Sequence, residues 1–329
     1  MWHRPSRCPV LLAYIPDNIT MHILIPFAFC SSDGATTALQ SLKLPNLEKL
    51  LARLTALPLD VGDELSLSPP HERALAHALG LTVHDGQIPW AALQAQSTHG
   101  NWGFITPCHW QVGHKHIVMS STDLPDFREA ESQALLAAMQ PFFEEDGISL
   151  QFDRHDRWLA HGKPLAGLAT ASLDRVAGRN VASWMPRGTG AARLQRLQSE
   201  MQMLLYTHPV NDARTERGLP PVNSFWLSGS GNLPQLPAAP ARQVKPESIN
   251  TLRAPALTED WQAWSQAWQE IDSKPLAGLL RALDQGGNVI LTLCGERNAQ
   301  TFASSPQNLF KKIMNIFNTR NASTTLQSL

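Results

Sequence analysis

His208-Pro-Val-Asn-Asp-Ala-Arg214, followed by Gly218, Pro220, Asn223 and Gly229-Ser-Gly231, gathers polar, cationic and glycine residues into one continuous segment. Asparagine and histidine offer directional hydrogen bonds, and arginine offers the charge that a phosphate or carboxylate needs. Pro209 ends the preceding helix, and Asn211 caps a short helical turn that closes at Gly218. Val222 to Leu227 reads as a brief buried strand, and Gly229 to Gly231 as the turn after it. Ligands in open α/β sheets sit past the carboxyl ends of strands, which puts Asn223, Ser228 and that turn beside a pocket. Arg175 and Arg179, four residues apart, share a face if this stretch is helical; they then either fork onto an anion or pair with Asp174. Arg175, Arg179, His208, Asn211, Arg214 and Asn223 form the candidate ligand-binding set, suited to a phosphorylated or carboxylate small molecule. No catalytic residue is assigned.

Three further groups could carry chemistry. His109, His114 and His116 supply three imidazoles, enough for zinc if a turn at Gly113 brings them together, but no carboxylate lies close, and the competing reading is structural: histidine pairs are common on exposed strands. In a softer version, Thr106, His109 and Trp110 line a ligand cleft between two domains. Ser31-Ser32-Asp33-Gly34 reads either as a displaced remnant of a metal site or as a solvated turn. Cys294, Glu296 and Arg297 follow a strand end, where they reach a cleft or form a surface ion pair. No phosphate-binding G-x-x-x-x-G-K-[ST] loop is present.

The 208–231 segment resembles the HPVN-x-x-R…G-x-P-x-N…G-x-G signature of the archaeal-type cofactor-independent phosphoglycerate mutases of the alkaline phosphatase superfamily. It is still closer to proteobacterial proteins named after those mutases or after RpfE-type regulators. The matching residues are His208, Pro209, Val210, Asn211, Arg214, Gly218, Pro220, Asn223, Gly229 and Gly231; Ser228 stands where the mutases usually carry arginine or tryptophan. The resemblance implies an α/β core with a mostly parallel sheet, an inserted α+β domain, and a pair of divalent metals such as Mn or Zn beside a serine or threonine nucleophile. The metals would offset charge on the transferring phosphoryl group. That site needs an aspartate after the first strand and histidines late in the chain. Here the first strand leads into Pro26-Phe27-Ala28, and none of the twelve histidines lies beyond His208. No metal ligand is therefore assigned.

Composition narrows the classes. With 27 basic against 28 acidic residues there is no excess positive charge for a nucleic-acid backbone. No run reaches the length of a membrane span. Cys8, Cys30, Cys108 and Cys294 are scattered, which fits neither a disulfide framework nor a zinc knuckle and suits a reducing cytoplasm. Ten tryptophans against two tyrosines predict a heavily packed core.

The elements that position these residues follow from periodicity. His22 to Pro26 reads as a first buried strand, 44–54 as a helix with Pro45 in its first turn, and Pro69 to Leu79 as another. Residues 101–165 alternate short strands (102–106, 114–119, 148–152, 157–160) with a helix over 127–144. A helix over 188–206 follows. Pro234, Pro237, Pro240, Pro246 and Pro255 mark an extended linker over 232–258. Trp261, Trp264 and Trp268 stripe the next helix; 288–293 is a final strand, and 308–317 a short helix. The domains read as a leader over 1–20, either foreign to the native chain or simply disordered, a core from 21–100 and 166–231, the insert over 101–165, and 259–329 completing the core. The leading functional reading is a catalytically degenerate mutase-like protein with a regulatory or small-anion-binding role. The rivals are an active metal-dependent phosphomutase or phosphatase with relocated ligands, and a protein-interaction module using the tryptophan-striped helix.

Overall fold

The structure, a computed structural model, describes residues 19–81, 84–113, 116–120, 124–237, 245–304 and 321–329. The chain packs as two compact units. One holds the described residues of Met1–Asp60, Ala241–Leu252 and Trp261–Leu329, and the other those of Val61–Pro240 and Arg253–Asp260. This division differs from the one read in the sequence: residues 61–100 and 166–231 pack with the 101–165 block, not with the first strand. The reason is a backbone ladder, since strand Trp102–Cys108 of the expected insert pairs with strand Ser224–Gly231 of the expected core. The leader before residue 19 and the helix read at 308–317 lie outside the described residues.

The first unit is a mixed α/β layer. Its sheet contains β1 (Ile19–Ile25), β2 (Thr55–Ala56), β9 (Glu247–Ser248), β10 (Asn288–Cys294) and β11 (Ala299–Ala303), in the order β2-β11-β10-β1-β9. β1 is parallel to both β10 and β9, while β11 is antiparallel to β10 and β2. Every strand but β11 therefore runs one way, the mostly parallel sheet expected from the sequence. Ile23, Leu24 and Ile25 are buried, as are the residues of β10 beyond Asn288, which is why both read as unbroken apolar runs. β9 comes from the stretch read as an irregular linker: its end joins the sheet and continues through a turn at Asn250–Leu252.

Helices α1 (Asp33–Ser41), α2 (Pro45–Arg53), α10 (Trp261–Ile271), α11 (Ala277–Asp284) and α12 (Ala322–Gln327) belong to this unit. Trp264 and Trp268 are fully buried, and their indole N–H groups donate to the carbonyls of Phe27 (3.1 Å) and Ala28 (3.2 Å) just past β1. The tryptophan stripe is thus core, not the interaction surface that its spacing suggested. α1 packs so closely on α10 that a Cβ on Gly34 would lie 2.3 Å from the Trp261 nitrogen. Between α10 and α11, Asp272–Leu276 winds as a π segment around Pro275, which has no N–H to give. The buried Asp272 carboxylate accepts from the N–H groups of Asn46 (3.2 Å) and Leu47 (2.8 Å). It caps α2, whose own N-cap is Leu44 and offers no side-chain acceptor.

The second unit is built on an antiparallel sheet, β6-β7-β3-β8, with β3 (Trp102–Cys108), β6 (Ser149–Arg154), β7 (Arg157–His161) and β8 (Ser224–Gly231). β4 (Trp110–Val112) and β5 (Ile117–Met119) form a separate hairpin. The helices are α3 (Pro70–Ala78), α4 (Trp90–Gln94), α5 (Glu129–Glu145), α6 (Leu173–Val176), α7 (Ala191–Tyr206), α8 (Pro209–Glu216) and α9 (Arg253–Leu257). Alternation along β8 divides its side chains. Phe225 and Leu227 join Leu135, Met139 and Phe143 of α5 and Leu197 and Met201 of α7, while Trp226 packs with Cys108, Val176 and Trp184 on the other face. Among the described residues no helix is long and apolar enough to cross a membrane.

One polar stripe interrupts the apolar sheet of the first unit. His22 of β1 shares a 3.0 Å hydrogen bond with the Thr292 hydroxyl, which is 3.1 Å from that of Thr301. Burial pushes the His22 pKa down to about 4 from 6.5. A histidine held neutral in this way stabilises the fold above its unfolded pKa and loses that contribution as the pH falls from 6.5 toward 4. Taking the protein from pH 7 to pH 5 should cost about 2 kcal/mol through this group. Urea unfolding should show a shallower pH slope over that range for His22→Gln than for the parent; equal slopes would refute the assignment.

Candidate functional site

The 208–223 motif forms a corner in the second unit, and its side chains are spent on the main chain. His208, not Asn211, caps α8: its Nδ1 accepts from Val210 N–H at 3.2 Å, a role that needs the neutral ring. Burial lowers its pKa, against the charge of Asp212. Asn211 is buried and bridges two elements. Its Nδ2 donates to Leu205 O at the end of α7 and to Val222 O, both at 2.8 Å, while its Oδ1 accepts from Val222 N at 2.7 Å. Gly218 does close α8, at φ +70°, as the sequence indicated. Asn223 makes a two-way bond to the Trp110 backbone, 2.7 Å from N to Oδ1 and 2.8 Å from Nδ2 to O.

Arg214 is the centre of this corner. It is 0% exposed. Its Nε donates to Pro220 O (3.0 Å), Nη2 to Pro125 O (3.0 Å) and Nη1 to the Glu131 carboxylate (2.9 Å). The guanidinium carbon lies 5.5 Å from the centre of the Phe127 ring. Glu131 also accepts from Arg217 and from the backbone N–H of Arg128, the N-cap of α5. The charge that the sequence offers to an anion is therefore held inside the protein.

The glycines are also structural. Gly229-Ser-Gly231 is not a turn after the strand but its last stretch, with a bulge opposite Trp102 and Phe104. Gly229 sits at φ +58°, and a Cβ there would lie 2.9 Å from the Phe104 ring and 3.1 Å from Trp90 Cβ. Ser228 is buried.

Arg175 and Arg179 do not share a helix face, because α6 ends at Val176 and Gly178 turns the chain at φ +71°. Arg175 is buried with its guanidinium 6.0 Å from the Trp184 ring, and the Arg179 carbonyl accepts from Met119 N–H. The histidine trio does not assemble among the described residues. His109 Nδ1 bonds Pro221 O at 2.8 Å, His116 lies exposed at the end of the β4–β5 hairpin, and His114 falls outside those residues. Thr106 is buried in β3.

Past the ends of β1 and β10 lies the place where the resemblance puts metals. Ser32 Oγ accepts from Ala35 N–H and caps α1, with exposed Asp33 as the first helical residue. The Glu296 carboxylate accepts from Ser31 N–H at 3.1 Å, and Cys294 is buried. No three His, Cys, Asp or Glu side chains among the described residues come together in a way that could hold a metal ion.

Two arrangements escaped the sequence reading. His71 Nε2 lies 3.1 Å from Asp174 Oδ2, and Arg253 Nε donates to Asp174 Oδ1 at 2.7 Å. Burial works to raise the Asp174 pKa, but His71 and Arg253 outweigh it and bring it to about 2. Next to this pair, Glu72 accepts from Ser172 Oγ (2.5 Å) and Trp90 Nε1 (2.9 Å), while burial raises its pKa. Pro69-Pro-His-Glu signalled only a helix start; its partners Ser172 and Asp174 are about a hundred residues away. The second arrangement is a cleft of about 270 Å³ beyond the end of β8, lined by residues that include His84, Gln87, Asn101 and Asn232. No motif joins those four positions.

The buried arginine sets a stability test. Arg214→Ala leaves the Pro220 and Pro125 carbonyls without their donor and takes one of two arginines from Glu131, and should cost about 2–5 kcal/mol. Arg214→Lys should recover little of this, since an ammonium cannot fork to acceptors on several sides. Arg217→Ala, at a third-exposed position, should cost under about 1 kcal/mol. Urea unfolding of the three variants checks the order; an Arg214→Ala as stable as the parent would show that the corner is not structural.

No protein-family model matches the chain. It is 30% identical over 123 residues to a probable 2,3-bisphosphoglycerate-independent phosphoglycerate mutase of Geobacter sulfurreducens, which covers 36% of this chain and 30% of that protein. It is 33% identical over 217 residues to such a mutase of Methanosarcina mazei, covering 62% of this chain and 52% of the relative. The chain thus spans about half or less of the length of these curated relatives. Among solved structures, a cofactor-independent phosphoglycerate mutase of Thermoplasma acidophilum aligns at TM-score 0.37 and 13% identity, over 94% of this chain and 98% of that one. A Pyrococcus horikoshii protein aligns at TM-score 0.44 and 14% identity, over 88% and 87%. The relatives of this chain are cofactor-independent phosphoglycerate mutase-like proteins.

Proposed function

We propose that this chain is a phosphoglycerate mutase-like protein that does not transfer phosphoryl groups and acts in regulation, as the RpfE-type group is named for. The observation that carries the reading is the donor set past β1 and β10. A pair of divalent ions there, such as Mn or Zn, calls for several carboxylates and imidazoles facing one point. The residues in that place are Phe27 and Ala28, whose carbonyls are bound by Trp264 and Trp268, then Ser32 spent on a helix cap and Glu296 bound to a backbone N–H. These residues do not fit a two-metal centre. The buried state of Arg214 and Arg175 further supports a scaffold role for the motif over an anion pocket built from it. A reducing cytoplasm goes with this reading, where Cys30, Cys108 and Cys294 stay reduced.

The test is elemental analysis of the purified chain together with an assay of 2- and 3-phosphoglycerate interconversion in added manganese or zinc. The expected result is well under one tightly held metal per chain and no turnover above background. Two metals per chain with turnover, both lost in Asp33→Ala, would establish the rival reading of an active phosphomutase with relocated ligands.

A further inference from the structure

The cleft past β8 is concave, yet among the described residues no Asp, Glu, Lys or Arg lines it. We propose that it binds a small uncharged polyhydroxy molecule, about the size of one sugar ring. The inference stands apart from the proposed loss of catalysis and rests on the chemistry of the walls. The side chains of Gln87, Asn101 and Asn232 each pair a donor with an acceptor, as a hydroxyl does, and His84 adds one of each in its neutral form. Gly167 has open space where a Cβ would stand, so a ligand can approach the main chain there, while Gly231 packs against Gln87 and Pro89. Two prolines and a leucine complete the lining with apolar surface for the C–H faces of such a ring. A phosphate or carboxylate ligand would enter this cleft without a cation to meet it.

The walls are held in place before any ligand arrives. On one side, the Asp85 carboxylate accepts from the N–H groups of Leu67 and Ser68, both at 2.9 Å, and Ser68 Oγ accepts from Gly86 N–H at 2.8 Å. Thr170 N–H then donates to Gly86 O at 2.8 Å. These bonds fix the chain between His84 and Gln87. On the other side, fully buried Ser230 donates to Leu168 O at 2.8 Å and lies 3.0 Å from the Thr170 hydroxyl, which fixes Gly231 and the 167–168 backbone. Asn101 is anchored by its carbonyl, which accepts from Gly162 N–H at 3.1 Å. A pre-formed wall lowers the entropic cost of binding, and the volume of about 270 Å³ sits below the range of drug-sized pockets.

Titration calorimetry of the full chain with D-glucose and D-ribose tests the site, with 3-phosphoglycerate as a charged competitor. The expected result is saturable binding of at least one sugar, undisturbed by 3-phosphoglycerate. Asn101→Ala and Asn232→Ala should each weaken it about tenfold, as loss of a well-made hydrogen-bonding group does. Asn232 is exposed, so its truncation should leave the thermal unfolding midpoint where it is and keep the comparison sound. Failure of both sugars to bind saturably, binding that neither substitution weakens, or displacement of bound sugar by 3-phosphoglycerate would each overturn the proposal.

Discussion

A guanidinium removed from water has to find acceptors for every N–H it carries, and the second unit is arranged around that demand at Arg214. Three directions of donation reach Pro220, Pro125 and Glu131. Each partner lies on a different segment, so satisfying one side chain fixes the loop into β8, the approach to α5 and the first turn of α5 together. Glu131 then serves two arginines and a helix N-terminus at once. Asn211 and Asn223 repeat the principle with neutral groups, each standing in for a backbone partner that a loop cannot supply. The motif is a set of substitutes for secondary structure at a place where the chain changes direction twice.

That use explains why polar residues at this spacing look like a ligand site from sequence. Arginine, asparagine and histidine recognise carbonyls and carboxylates whether these belong to a substrate or to the protein itself. Sequence shows the donors but not the acceptors: Pro125 O and Glu131 carry no signal that links them to residue 214. Elements governed by local rules were legible. The buried first strand, the α2 helix with Pro45 in its opening turn, the helices near 129–145 and 191–206, and the Gly218 stop all follow from periodicity and φ preference. Features set by distant packing were not. Gly229 reads as a turn because positive φ is the usual reason for glycine there, yet it marks a bulge under Trp90 and Phe104. The tryptophan stripe of α10 resembles an interaction face until the two carbonyls past β1 are seen to need its indoles. The cap on α2 comes from Asp272, more than two hundred residues away.

The same reasoning separates ancestry from activity. A scaffold motif can persist for stability alone, because truncating Arg214 would leave two carbonyls unmet and Glu131 with one arginine fewer, whatever the protein does. Similarity to the mutases in this segment therefore speaks to architecture, while function has to be read from sites. The strand ends of the first unit carry indole–carbonyl bonds, a helix cap and one engaged carboxylate. The cleft past β8, in the second unit, has no Asp, Glu, Lys or Arg among its described lining residues.

The parallel pairing of β1 with β10 has a consequence for how the protein is made. Ile23 meets Leu291, so β1 waits until residues 288–294 have left the ribosome before its main partner exists. The antiparallel sheet of the second unit is drawn from residues 102–231 alone and can close while synthesis continues. Emerging first and pairing late, the apolar stretch Ile23-Leu-Ile25 spends translation as an open strand edge, the state most prone to join a neighbour's edge instead. A chain of this topology therefore needs its first strand shielded during synthesis, and truncations that remove β10 would leave that strand permanently without its principal partner.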